Sequence, residues 1–169
     1  MRLPDIHILS KKEFEDAVKA CGLDDANVEQ NGRRMAFICI CDTRHPESGW
    51  GSEPYFQRDH ANVLRLWFDD VEQDTTVLVG MVEHTARLIQ ELDAAALIAF
   101  LDAQQERGVA AFFVHCLAGI SRSGAIGAFI SDCFGGDYLE LKQKNPQIQP
   151  NAAVLAALRK VQGATRQQI

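Results

Sequence analysis

"FVHCLAGISRSGAIGAFI", residues 113–130, is the stretch on which the fold turns. An apolar run stops at His115 and Cys116, passes through a loop of small residues ending in Arg122, and resumes as a second apolar run. "VAAFFV" (109–114) has the composition of a strand buried on both faces. "SGAIGAFISDCF" (123–134) is apolar on nearly all sides, as a helix enclosed in the core would be, and "GG" (135–136) stops it. The loop between them therefore sits where a strand ends and a helix begins. In open α/β sheets ligands bind at such junctions, because helix N-termini direct unpaired N–H groups and a positive dipole outward.

The rest of the chain repeats this alternation. "DIHIL" (5–9) reads as a short strand, and "SKKE" (10–13) as a capping box in which Ser10 and Glu13 exchange hydrogen bonds. The helix it opens should turn Phe14, Ala17 and Val18 inward and end at Gly22. "MAFICIC" (35–41) is a buried strand and "NVLRLWF" (62–68) the next, with an aperiodic surface loop over 42–60 between them. Residues 75–107 are expected to be helical, broken near Leu92–Asp93, with Leu97, Ile98, Phe100 and Leu101 on one apolar face. Asn151, after Pro150, should cap a last helix containing "AAVLAALRKV". The expectation is an α/β fold: one domain over 1–169, with a central, mostly parallel sheet of four to five strands flanked by helices on both faces.

Composition narrows the setting. Hydrophobic content of 47% and charged content of 24% are those of a globular domain, and no apolar stretch approaches the roughly 18 residues of a membrane span. The N-terminus lacks the apolar core of a signal peptide. Five cysteines, an odd number with no Cys-x-x-Cys pair, fit reduced thiols in the cytoplasm. A net charge of −6 argues against nucleic acid or an anionic membrane as partner, so any anion site must be local. A monomer is expected.

Several phosphate loops and nucleophile turns could occupy a strand–helix junction, and most are eliminated by identity. A Walker A loop needs lysine and a hydroxyl after its second glycine, where this chain has Ala125 and Ile126. A hydrolase elbow needs Gly-x-Ser-x-Gly, but Gly119-Ile120-Ser121-Arg122-Ser123 ends in serine. No dinucleotide fingerprint is present. What remains is His-Cys-x2-Gly-x2-Arg-Ser. An ordinary cysteine, with pKa about 8.5, is only ~3% thiolate at neutral pH. Amides converging on sulfur, with a helix dipole behind them, favour the anion; a pKa of about 5 would represent roughly 5 kcal/mol of differential stabilisation. The same amides suit phosphate oxygens. Arg122 adds a planar fork for two of them, Gly119 keeps the cradle clear, Ser123 can donate to sulfur as it leaves, and His115 can order the loop through its ring nitrogens. A lone cysteine is more often an inert core residue. Five fixed identities at fixed offsets arise by chance in roughly one chain per ten thousand, which favours the chemical reading.

"VHCLAGISRSGAI" resembles the signature loop of the cysteine-based protein tyrosine and dual-specificity phosphatases, closely over 112–130 and more loosely over 35–70 and 145–160. The resemblance implies a phosphomonoester hydrolase acting on phosphorylated proteins or peptides through a phosphocysteine. Cys116 would be its nucleophile and Arg122 its phosphate clamp. Ser123 would assist thiolate departure, and the amides of Leu117, Ala118, Gly119, Ile120, Ser121 and Arg122 would form the cradle. It implies no metal and no cofactor. "WFDD" is similar to the family's acid loop, which favours Asp70 as proton donor, with Asp69 as the alternative. Asp70 and Cys116 lie 46 positions apart, more than the resemblance leads one to expect, and the surplus is assigned to extra helix after the acid loop.

"NPQIQPN" is similar to the segment that precedes the family's final helix, where Asn151 is first a cap and secondly a brace for the site loops. Cys41 matches the position of a second thiol that can trap an oxidised nucleophile, although core packing is the simpler reading. His60 and His84 have no partner legible from sequence. Trp50, Tyr55 and Phe56 either border the cleft or, more simply, anchor their loop. Phosphoinositides and RNA 5′-phosphates are rival substrates on the same scaffold, disfavoured by neutral Leu117, Ala118, Ile120 and Ser121 and by the acidic net charge. A phosphate-binding module without turnover is the rival from another class.

Overall fold

The computed structural model describes residues 3–43 and 53–166. Four strands form one parallel sheet: β1 (Asp5–Ser10), β2 (Met35–Cys41), β3 (Val63–Trp67) and β6 (Ala111–Cys116), in the order β1-β6-β2-β3. The two most apolar strands, β6 and β2, thus lie inside the sheet, and the neighbours of β6 pair with it in register, with Ile8 and Ile38 beside Val114 and with Leu9 and Cys39 beside His115.

Strand alternation sorts these residues to two cores. Ala36, Ile38, Ile40, Phe112, Val114 and Cys116 join a core roofed by α3 (Glu91–Glu106), α4 (Arg122–Cys133) and α6 (Ala152–Arg166). Phe37 and Cys39 face the other way, onto Phe14 and Val18 of α1 (Lys11–Ala20) and Val28 of the one-turn α2 (Val28–Asn31). Helices on both faces explain why the strands read as unbroken apolar runs. The Ser10–Glu13 capping box forms as expected, with Glu13 N donating to Ser10 Oγ at 3.2 Å and Ser10 N to Glu13 Oε2 at 2.8 Å. Every residue of α4 from Arg122 to Ser131 is buried. Among the described residues no helix is long and apolar enough to cross a membrane.

The expectation of helix over 75–107 is wrong in its first half. Residues 75–86 form an antiparallel hairpin, β4 (Thr75–Val79) and β5 (Val82–Ala86), with Val79 opposite Val82. Thr75, Thr76, Val77, Val79, Val82 and Thr85 are β-branched and lose rotamer freedom in a helix. Gly80, at φ 65°, takes the positive dihedral that so tight a turn requires. Helix begins only at Glu91, where Asp93 Oδ2 accepts from Gln90 N at 3.0 Å. The break expected at Leu92–Asp93 is therefore the start of α3. The surplus chain after the acid loop is a hairpin rather than additional helix.

A short helix that sequence reading passed over, α5 (Tyr138–Lys144), serves the edge of the sheet. Strand β1 would otherwise expose unpaired backbone groups. Asn145 Oδ1 accepts from Ile8 N at 2.9 Å, Asn145 Nδ2 donates to Ile6 O at 3.1 Å, and Gln147 Nε2 donates to Ile8 O at 2.8 Å. Two amide side chains thus act as a partial fifth strand. Asn145 is buried, so replacing it with alanine should cost about 2–3 kcal/mol through the backbone groups left unpaired. A denaturant titration of Asn145→Ala checks this; an unchanged midpoint would mean that water satisfies the edge.

Candidate active site

Strand β6 delivers His115 and Cys116 to the carboxyl end of the sheet, and α4 begins at Arg122. The five residues between them are held from outside by their carbonyls. Leu117 O accepts from Lys11 N at 3.2 Å, Ile120 O from Gln149 N at 3.0 Å, and Ser121 O from Asn151 N at 3.2 Å. Carbonyls engaged outward leave N–H groups free to face inward, and Gly119 N donates to Cys116 Sγ at 3.3 Å. Gly119 is required by close approach as well as by its φ of 73°: a Cβ there would lie 2.4 Å from the backbone of Leu9 and Ser10. Leu117, Ala118 and Ile120 are exposed, so the rim of the loop is apolar and uncharged.

Cys116 is 2% exposed, with Ser123 Oγ 3.1 Å from its sulfur. Burial pushes its thiol up, yet the Ser123 hydroxyl and amide, the Arg122 charge and the Ile120 amide together hold it below the ordinary cysteine value. His115, also buried, is driven down to about 4, mainly by desolvation, and is neutral near pH 7. Its Nδ1 lies 3.4 Å from Cys116 O, and its ring rests on Phe14 at 4.3 Å between centroids. Nε2 is buried without a hydrogen-bond partner among the described residues. His115 therefore meets the loop through one ring nitrogen at long range, and otherwise by packing.

Arg122 is positioned by a residue that sequence reading missed. Its Nη1 donates to Asp42 Oδ1 at 2.6 Å and to Phe68 O at 2.8 Å, fixing the guanidinium from the ends of β2 and β3. Both partners of the ion pair are buried, and removing Asp42 would strand a buried cation. Nε of Arg122 is buried with no hydrogen-bond partner among the described residues. The available signal was a carboxylate directly following a buried strand, "ICICD".

The two candidate acids have separate environments. Asp69 is 5% exposed and accepts from Thr43 N at 3.1 Å, from the Thr43 hydroxyl and from Arg87 N at 2.8 Å. Burial raises its carboxyl, but these donors and the Arg122 charge hold it below the usual carboxylate range. Asp70 is exposed and faces the loop: its Oδ1 accepts from Ser121 Oγ at 2.7 Å and from Asn151 Nδ2 at 2.8 Å. Asn151 also caps α6, accepting from Ala153 N and Val154 N at 3.0 and 3.1 Å.

The remaining candidates fall around this centre. The hairpin brings His84 Nε2 to 3.2 Å from Thr43 Oγ1, beside Asp69. His60 lies elsewhere, 2.7 Å from Asp25 Oδ1. Phe56 is fully buried against Phe14 and Phe37, and Tyr55 Oη donates to Leu23 O at 3.0 Å, so both anchor their loop. Trp50 lies outside the described residues. Cys41 is buried at the carboxyl end of β2, two residues past the Cys39–His115 pair.

Comparison with solved structures places this architecture. The chain has the dual-specificity phosphatase fold. Human DUSP28 matches it with a TM-score of 0.55 and 16% identity, over 98% of this chain and 96% of that one. A single-residue variant of human DUSP28 gives 0.53 and 17%, over 98% and 94%. Human tyrosine phosphatase-like serine/threonine/tyrosine-interacting protein gives 0.48 and 22%, over 82% of each. No protein-family model and no curated protein matches the chain.

Two measurements follow from the electrostatics. Ser123→Ala removes a bond that favours the Cys116 anion, so the pH of half-maximal alkylation by iodoacetamide should rise; an unchanged profile would show that the hydroxyl contributes nothing. His115 has a folded-state value below its ordinary 6.5, so the unfolded chain binds that proton first as pH falls. Its contribution to stability is complete above 6.5 and is lost as pH falls toward about 4, on the order of 3 kcal/mol in all. Unfolding midpoints across that window should fall less steeply in His115→Gln than in the parent.

Proposed function

We propose that this chain is a cysteine-dependent phosphomonoester hydrolase of the tyrosine and dual-specificity type, acting in the cytoplasm as a monomer on phosphorylated proteins or peptides, phosphotyrosine first. The observation that supports it most is the geometry at the buried sulfur of Cys116, which takes Gly119 N at 3.3 Å and lies 3.1 Å from Ser123 Oγ, with the Ser123 hydroxyl and amide and the Arg122 charge holding the thiol below its ordinary value. Burial alone would make this sulfur inert.

In the proposed reaction the Cys116 thiolate attacks phosphorus while Arg122, through its guanidinium N–H groups, and the loop amides hold the phosphoryl oxygens. The ester P–O bond breaks, and Asp70 gives its proton to the departing oxygen. Water then attacks the phosphocysteine, returns a proton to Asp70, and releases phosphate and thiolate. The Ser123 hydroxyl supports the leaving sulfur. Asp69, occupied by three donors, stays ionised and shapes the acid loop. Neutral Leu117, Ala118, Ile120 and Ser121 give a phosphoinositide no extra cation to bind, and the net charge of −6 opposes an RNA end.

Turnover of p-nitrophenyl phosphate, abolished in Cys116→Ser, is the expected result. Asp70→Asn should lower kcat for phenyl phosphate about a hundredfold. Phosphate binding without turnover in the parent would identify a binding module, and loss confined to Asp69→Asn would move the acid by one residue.

A further inference from the structure

We infer that Asn151 is a positioning residue for Asp70 and decides which of its two oxygens holds the transferable proton. This rests on the reading of Asp70 as the acid.

Three bonds fix the orientation of Asn151 before Asp70 is considered. Its backbone N donates to Ser121 O at 3.2 Å, and Oδ1 accepts from Ala153 N and Val154 N. Those two N–H groups are among the donors that the first turn of a helix leaves unpaired. Flipping the amide would set its NH2 against both of them, so Nδ2 is committed to the opposite side. There it donates to Asp70 Oδ1 at 2.8 Å and lies 3.3 Å from Val71 O. The helix cap and the acid loop are thus served by one side chain.

Asp70 Oδ1 also accepts from Ser121 Oγ at 2.7 Å. An oxygen already taking two donors is a poor place for a third hydrogen. The proton of the neutral acid accordingly sits on Oδ2. In the first step it passes from Oδ2 to the ester oxygen as the P–O bond breaks and the S–P bond forms, leaving a carboxylate whose charge is met at Oδ1 by Asn151 and Ser121. In the second step the proton lost by the attacking water returns to Oδ2. Asn151 touches neither substrate nor sulfur in this scheme; it keeps the working oxygen aimed.

Asn151→Ser isolates the positioning role, because serine also caps a helix well but is too short to reach Asp70. The experiment compares kcat/KM, which excludes the phosphocysteine hydrolysis common to both substrates, for phenyl phosphate, a poor leaving group, and for 2,4-dinitrophenyl phosphate, which needs no acid. Asn151→Ser should lower the first about tenfold and the second by less than about twofold. The ratio of the two does not depend on how much of the variant is folded. In an Asp70→Asn background the same substitution should remove nothing more. Equal loss on both substrates, equal loss in both backgrounds, or no loss at all would overturn the inference. A parent chain without turnover, or an Asp70→Asn variant with no selective loss on phenyl phosphate, would overturn the functional reading, and the positioning role would fall with it.

Discussion

Everything at the centre of this molecule depends on a peptide loop whose carbonyls are bound from outside. Lys11, Gln149 and Asn151 take the outward-facing oxygens of Leu117, Ile120 and Ser121, so the N–H groups are free to converge on Cys116. Turning peptide units is cheaper than burying cations, because oriented dipoles hold an anion without themselves needing counter-charges. The cost falls on the surroundings. Gly119 must pass so close to β1 that a Cβ would collide with the backbone of Leu9 and Ser10, and Arg122 must be held by a buried carboxylate. The first strand, the start of α1 and the segment before α6 are all committed to the shape of one loop.

That commitment ties the acid loop to the same frame. Ser121 and Asn151 both reach Asp70, while Asp69 is clasped by Thr43 and the Arg87 backbone. Adjacent carboxylates of identical chemistry are thereby given unlike environments, one buried and saturated, the other open on one side. The difference comes entirely from neighbours supplied by distant parts of the chain.

The division between what sequence revealed and what it hid follows from this. The strand–loop–helix at 109–134, the Ser10–Glu13 cap and the strands at 35–41 and 62–68 were legible, because each rests on local periodicity or a short fixed pattern. The hairpin at 75–86 was not: its apolar residues also satisfy a helical spacing, and the decisive features were β-branching and one glycine at the turn. Asp42 was missed because its importance exists only once β2 and β3 lie side by side and Arg122 reaches across them. Asn145 and Gln147 escaped notice for the same reason, since nothing near them in sequence shows that they face the backbone of β1.

The hairpin has a further significance. Among the described residues its strands pair only with each other, and Leu78, Met81 and Val82 near the turn are largely exposed, so little apolar burial holds it in place. A two-stranded ribbon of this kind is marginal in water and depends on its attachment at the base. Here that attachment includes His84 on Thr43 and Arg87 on Asp69. The ribbon is accordingly where local opening of the fold should begin, and each opening would loosen the clasp on Asp69 beside the phosphate loop. Thermal fraying at the periphery is thus wired, through a single carboxylate, to the order of the interior.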